Sequence, residues 1–272
     1  MEIDLRERGV AIVANTPRRV EAILGEVSRM KAAPAIASPE VVALVGVCQY
    51  MEAQTAGRSG ALAMRNVRRA AATRGQAGLV KLKTAVAELG EHVYRTTPRR
   101  VDLLSDSGPV LVFTDAAAEA SGSTFGAVLF DPKDGTLQYC AGKFTEKQVS
   151  QWMAEVGLQI ICQAELAALP IALSTWAPRV QGRGVIMFVD NDPAKDAAIN
   201  GISASGASSR MVKEMRLLCA SRGIGPWFER VPSPSNIADP PSRGSFSELE
   251  RLGARRVMPV ILPAFDIEFT DY

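Results

Sequence analysis

The sequence GVIMFVD spans residues 184–190 and LVFTD spans residues 111–115; each is a short apolar run that ends at an aspartate. The run Gly184 to Val189 is apolar at every position, which predicts a central strand buried on both faces. The run from Val110 to Thr114 predicts another strand. Between them lie Gly126-Ala-Val-Leu-Phe130, the turn Asp131-Pro-Lys-Asp-Gly135 and Thr136 to Ala141. Two strands joined by so short a turn are antiparallel. An Ala- and Leu-rich segment, Ile160 to Trp176, predicts a helix with Ile161, Leu166, Leu169 and Leu173 on its buried side. Downstream come a helix through Met211, Met215 and Leu218, a fifth strand from Trp227 to Val231, and a short helix over 247–252. The order β-β-β-α-β-α-β-α predicts an α/β domain with a mixed five-stranded sheet and flanking helices.

Outward from this core, residues 1–107 read as mostly helical. Thr16-Pro17 starts one helix, with Val20, Ile23, Leu24 and Val27 on one face. Ser38-Pro39-Glu40 starts a second that should stop near Gly57. A third carries Leu79, Leu82, Val86, Leu89 and Val93 and ends before Pro98. The segment from Pro98 to Gly108 reads as a linker, which divides the chain into 1–107, 108–253 and an extended tail, 254–272.

The chain has 272 residues, 47% apolar and 22% charged, the composition of an ordinary globular protein rather than a rod or a disordered chain. No uncharged apolar run is long enough to span a membrane, and the acidic start MEIDLRERG is no signal peptide. Cys48, Cys140, Cys162 and Cys219 are scattered and only one histidine exists, which argues against structural zinc and for reduced thiols inside a cell, in cytoplasm or nucleus. The net charge of +2 is unevenly placed: +7 over residues 1–100 and −5 over 101–272. From Arg58 to Arg100 there are 10 basic residues against Glu88 and Glu91, a face suited to a polyanion.

Four carboxylates stand where strands end or helices begin: Asp115, Glu165, Asp190 and Asp239. If the strands carrying Asp115 and Asp190 lie side by side, both acids meet in one crevice, the usual ligand position of α/β sheets. Several carboxylates sharing a crevice need a cation, and Mg²⁺ favours hard oxygen ligands. Two such ions about 4 Å apart activate a water on one side of a phosphate and stabilise the leaving oxygen on the other.

The pattern TDAxxE, GAVLF, QAELAAL, VDND with AINGISASG downstream, and N-x-A-D-x-x-S-R (236–243) resembles the ribonuclease H domain of reverse transcriptases, in the style of pararetroviruses and tyrosine-recombinase retrotransposons. The stretches EIDLRERGVAIVANTPRRVEAIL and LVGVCQYMEAQTAGRSGALAMRNV resemble the end of a polymerase palm and the thumb or connection that follows. The resemblance implies a four-carboxylate site with two Mg²⁺ ions, Mn²⁺ serving as substitute, that hydrolyses RNA paired to DNA and leaves 3′-hydroxyl and 5′-phosphate ends. Asp115 would bridge both ions, Glu165 and Asp190 would hold the one nearer the leaving group, and Asp239 the one carrying the attacking water. Gln163 and Asn191 would meet ribose 2′-hydroxyls. Ser209, Arg210 and Arg243 would meet phosphates. Arg58, Arg65, Arg68, Arg69, Lys81 and Lys83 would hold the duplex backbone. The polymerase portion of a reverse transcriptase is the implied partner, with no membrane.

The sequence also departs from this family. It carries no Y-x-D-D motif, so no polymerase activity is expected from it. The loop 231–236 before Asp239 has no histidine, and the lone His92 reads as a surface or capping residue. The segment 200–209 is neutral, so substrate grip falls to 58–100. Two rivals predict different outcomes. A non-catalytic nucleic-acid-binding scaffold would bind hybrid without cleaving it, and a junction-resolving nuclease would prefer four-way DNA.

Overall fold

In a computed structural model, which describes residues 1–7, 9–54, 58–102, 108–119 and 122–268, the chain forms two units, Met1–Leu104 and Ser105–Tyr272. The first holds strands β1 (Glu2–Asp4) and β2 (Val10–Ala14), then helices α1 (Pro17–Ala32), α2 (Ser38–Gln54), α3 (Ala61–Ala71) and α4 (Gly75–Arg95), then β3 (Arg99–Asp102). The second holds β4 (Val110–Glu119), β5 (Gly122–Asp131), β6 (Thr136–Phe144), α5 (Glu146–Val156), α6 (Ile161–Thr175), α7 (Ala177–Val180), β7 (Gly184–Val189), α8 (Asp192–Asn200), α9 (Gly206–Arg222), β8 (Gly225–Arg230), α10 (Asp239–Ser242), α11 (Ser247–Arg251), β9 (Arg255–Arg256) and β10 (Ile267–Glu268).

In the first unit the three expected helices form, and their stripes pack together: Ile23 and Val27 of α1, Val41, Leu44, Val45, Cys48 and Met51 of α2, and Leu82, Val86, Leu89 and Val93 of α4. Helix α3 is an addition to the expected three. Its buried side is only Met64, Val67 and Ala70, at intervals of three among arginines. The small sheet β1-β2-β3 is a second addition. Strand β3 lies inside the expected linker, where Arg99 pairs antiparallel with Val13 and Asp102 with Val10. The stop expected near Gly57 and residues 103–107 of that linker lie outside the described residues. His92 corrects another expectation. Its side chain is only 10% exposed, and its Nε2 sits 3.0 Å from the buried carboxylate of Glu52, which also accepts from the Ser59 hydroxyl at 2.8 Å.

The second unit has the mixed α/β architecture expected of it, a sheet flanked by helices. Strands β4, β5 and β6 form an antiparallel meander, and β7 and β8 extend it from β4 in parallel, giving the order β6-β5-β4-β7-β8. The sheet is larger than the five strands expected, because β9 and β10 of the tail both pair with β6. Helix α6, apolar over most of its surface, is buried from Gln163 to Ser174 and packs on β4 and β5. The single helix expected through Met211 is preceded by a separate one, α8, which Asn191 caps and Gly201 ends in the left-handed region at φ 76°. Strand β7 is not buried on both faces. Val185, Met187 and Val189 enter the core, whereas Ile186 and Phe188 are half-buried and Phe188 stacks on Phe113 at 4.5 Å. Among the described residues no helix is long and apolar enough to cross a membrane.

Candidate metal centre

The parallel register of β4 and β7 pairs Val110 with Val185 and Phe113 with Phe188. Carried two residues further, it sets Asp115 beside Asp190, the residue that follows β7. Glu165 comes from the first turns of α6 and accepts a hydrogen bond from the backbone N–H of Ala116 at 3.3 Å. One ligating oxygen from each of Asp115, Glu165 and Asp190 lies within 4.8 Å of the others.

Asp115 and Glu165 are both 3% exposed. Burial, then the charges of Asp190 and Asp239, push Asp115 up to about 7 despite the opposing hydrogen bond from Ser242. Burial, then the charges of Asp115 and Asp190, push Glu165 up to about 9. Glu165 Oε2 is buried without a hydrogen-bond partner. An orphaned oxygen in a crowd of hard anionic oxygens fits a divalent cation of the Mg²⁺ or Mn²⁺ kind, and the cluster found among the described residues offers oxygen donors alone, which suit such an ion better than zinc.

Two further residues build the site, and both lie in the N-x-A-D-x-x-S-R segment. Asn236 Nδ2 donates to Asp115 Oδ1 at 3.3 Å and to the Thr114 carbonyl at 3.0 Å. The Ser242 hydroxyl lies between Asp115 Oδ2 and the Asp239 carbonyl, the latter at 2.8 Å. It has one hydrogen to give. When Asp115 is ionised the hydroxyl can donate to it; when Asp115 is protonated the hydroxyl can accept from it and donate to Asp239. The pairing of Asp115 with Gly126 lets this segment come close. A Cβ at residue 126 would stand 2.8 Å from the Ala238 carbonyl and closer still to the Ser242 amide. Sequence reading singled out the motif but not the roles of Asn236 and Ser242.

The structure does not bring the fourth carboxylate into the trio. Asp239 Oδ1 lies 3.0 Å from Arg243 Nε, and Arg243 Nη1 lies 3.0 Å from Glu119 Oε1. Gln163 is buried beside Glu165 in sequence; its Nε2 donates to Ser208 Oγ at 3.0 Å, and its Oε1 is buried without a partner. Asn191 Oδ1 caps α8 by accepting from Ala194 N at 3.0 Å. Ser209 corrects the expectation of a phosphate contact. It is fully buried, and its hydroxyl ties both the N–H and the carbonyl of Ser203. Arg210 pairs with Glu155.

The other basic residues expected to hold a duplex all belong to the first unit. Arg65, Arg68 and Arg69 lie on α3 and Lys81 and Lys83 on α4, with Arg58 before α3. Arg69 and Lys81 line an open groove of about 430 Å³. Arg68 donates to Gln49 at 3.2 Å, and burial pushes the half-buried Arg65 below its ordinary range.

No family model matches the chain, and no curated protein matches it significantly. Among solved structures, 52% of the chain is similar to 99% of RNase H1 from the halophilic archaeon Halobacterium salinarum NRC-1, at 20% identity and a TM-score of 0.38. In a separate comparison, 54% of the chain is similar to 100% of the N-terminal RNase H domain of a Mycobacterium tuberculosis protein, at 16% identity and a TM-score of 0.38. LC11-RNase H1 in complex with an RNA/DNA hybrid is matched over 52% of this chain and 99% of that one, at 15% identity and 0.39. The chemistry stands on the side chains described above.

Proposed function

We propose that the chain is a metal-dependent ribonuclease H, an endonuclease that hydrolyses the RNA strand of RNA/DNA hybrids, acting as the C-terminal part of a reverse transcriptase. The observation that carries this reading is the convergence of Asp115, Glu165 and Asp190 around a buried, partnerless carboxylate oxygen. The reverse-transcriptase context is supported by the sequence motifs.

Asp115, Glu165 and Asp190 would hold one divalent cation, and Asp115 with Asp239 a second. Such a pair, when bound, supplies activation of water and neutralisation of the departing oxygen. The chain's own residues prepare that chemistry. Asn236 and Ser242 fix the Asp115 carboxylate from the side of α10, and the apolar body of α6 keeps water from behind Glu165. Gln163 and Asn191 stand next to the carboxylates in sequence and would read ribose hydroxyls. Arg210 and Arg243 would approach phosphates, and the basic residues of α3 and α4 would grip the duplex backbone without reading sequence.

A scaffold that binds nucleic acid without cutting is the second reading, favoured by the engagement of Asp239 with Arg243. Incubating the purified chain with hybrid, duplex DNA and four-way junctions in Mg²⁺, Mn²⁺ or EDTA separates these. The nuclease reading expects metal-dependent cutting of hybrid RNA alone, abolished by Asp115→Asn with hybrid binding retained. Binding without cutting supports the scaffold, and cutting that survives Asp115→Asn removes the assignment.

A further inference from the structure

The Ser242 hydroxyl touches both the Asp115 carboxylate and the Asp239 carbonyl, yet the Asp239 carboxylate is engaged by Arg243. The same guanidinium reaches Glu119 at the far end of β4, so it bridges acids 4 and 124 residues away in sequence. All three side chains are open to solvent: Arg243 51%, Asp239 38% and Glu119 58% exposed. The backbone beneath them is fixed. Arg243 N–H bonds the carbonyls of Asp239 and Pro240, and the Ser242 carbonyl accepts from Thr124 Oγ1 at 2.6 Å. Any exchange of partners by Arg243 is therefore a side-chain movement.

We infer that Arg243 is a positioning residue that competes with a divalent cation for the Asp239 carboxylate. It yields that carboxylate when a divalent cation arrives and stays tethered through Glu119. The inference rests on reading the acidic cluster as a divalent-cation site. Its physical basis is competition for one oxygen. A guanidinium spreads its charge over a planar fork and binds an exposed carboxylate weakly, whereas a hard dication concentrates charge and is also held by the neighbouring carboxylates. Glu119 is placed at the rim, so it can keep the arginine without entering the centre. Asp239 becomes the last carboxylate to engage, and the cation nearest it is protein-borne until then.

The test is a cation titration of the whole chain without nucleic acid, by calorimetry with Ca²⁺ and by electron paramagnetic resonance with Mn²⁺. Arg243→Ala should tighten cation binding by about three- to fivefold, the factor that an exposed ion pair commands. Glu119→Gln should loosen it, since Arg243 then has only Asp239 to hold. In the Asp239→Asn background neither substitution should change affinity. An equal Arg243→Ala effect in that background means a general field effect and overturns the inference, as does unchanged or weaker binding in Arg243→Ala itself. Should Arg243→Ala not fold, as melting curves would report, Glu119→Gln completes the same cycle. Cation binding without this coupling sinks the role of Arg243 and leaves the nuclease reading standing. A wild-type chain that binds no cation sinks the metal centre itself.

Discussion

The Ser242 hydroxyl hydrogen-bonds Asp115 across 127 residues of sequence. It joins the short helix α10 to the strand that carries the most central carboxylate. Ser242→Ala removes that bond and leaves Asn236 to hold Asp115 alone. Because partners that orient a metal-ligating carboxylate matter nearly as much as the ligand, cation affinity or hybrid cleavage should fall about 10- to 100-fold. Calorimetry and a cleavage assay on the folded variant check this, and a change under twofold would show the bond to be incidental.

The pH dependence of stability has a definite sign in the cation-free chain. Asp115 and Glu165 sit at about 7 and about 9 when folded, against ordinary values of 3.8 and 4.5. The folded state therefore binds protons that the unfolded chain releases. The stability they contribute is fully present below about pH 4 and is lost as pH rises through 7 for Asp115 and through 9 for Glu165. Thermal melts in EDTA should decline from pH 5 to 8. Asp115→Asn should flatten that decline, gaining roughly 1–3 kcal/mol at pH 8 relative to wild type. A divalent cation should remove much of the decline in the wild type only.

Gly126→Ala should be felt at the centre although residue 126 carries no chemistry. Its Cβ would press on the backbone of Ala238 and Ser242, which has no flexible end to move aside. The expected cost is about 1–3 kcal/mol, read as a lower melting midpoint, together with weaker cation binding because α10 is displaced. Full stability with normal cation affinity would contradict the close approach.

Arg68, Arg69 and Lys81 are expected to act on grip rather than on bond breaking. Replacing all three by alanine should weaken hybrid binding and make it less sensitive to salt, by roughly 0.7–0.9 in the log–log slope for each phosphate that is no longer neutralised. The kcat of saturated enzyme should stay the same. A fall in kcat with unchanged KM would remove these residues from the substrate path.

Much of the second unit was legible because its strands are apolar runs punctuated by acids. LVFTD and GVIMFVD needed only parallel pairing to bring Asp115 and Asp190 together, and β4 and β7 pair in that way. What stayed hidden has physical causes. Strand β3 is half arginine and exists because β2 offers it an edge. Helix α5 starts at a Thr145 cap that accepts from Gln148 N at 3.1 Å, a local bond that hydrophobic periodicity does not register. Ser209 looked available beside Arg210, but the turn at Ser203 claims both faces of its hydroxyl. Asp239 pairs with Arg243 four residues on, a local i,i+4 ion pair that the search for a shared acidic crevice passed over.

Strand β6 meets β5 along one side and two fragments of the tail along the other, Arg255–Arg256 and Ile267–Glu268. A version trimmed after residue 253 would bare that outer row of amide and carbonyl groups, a ready template for a second molecule to zip onto. Shortened forms are therefore expected to self-associate, which size-exclusion chromatography of the trimmed and full chains would read.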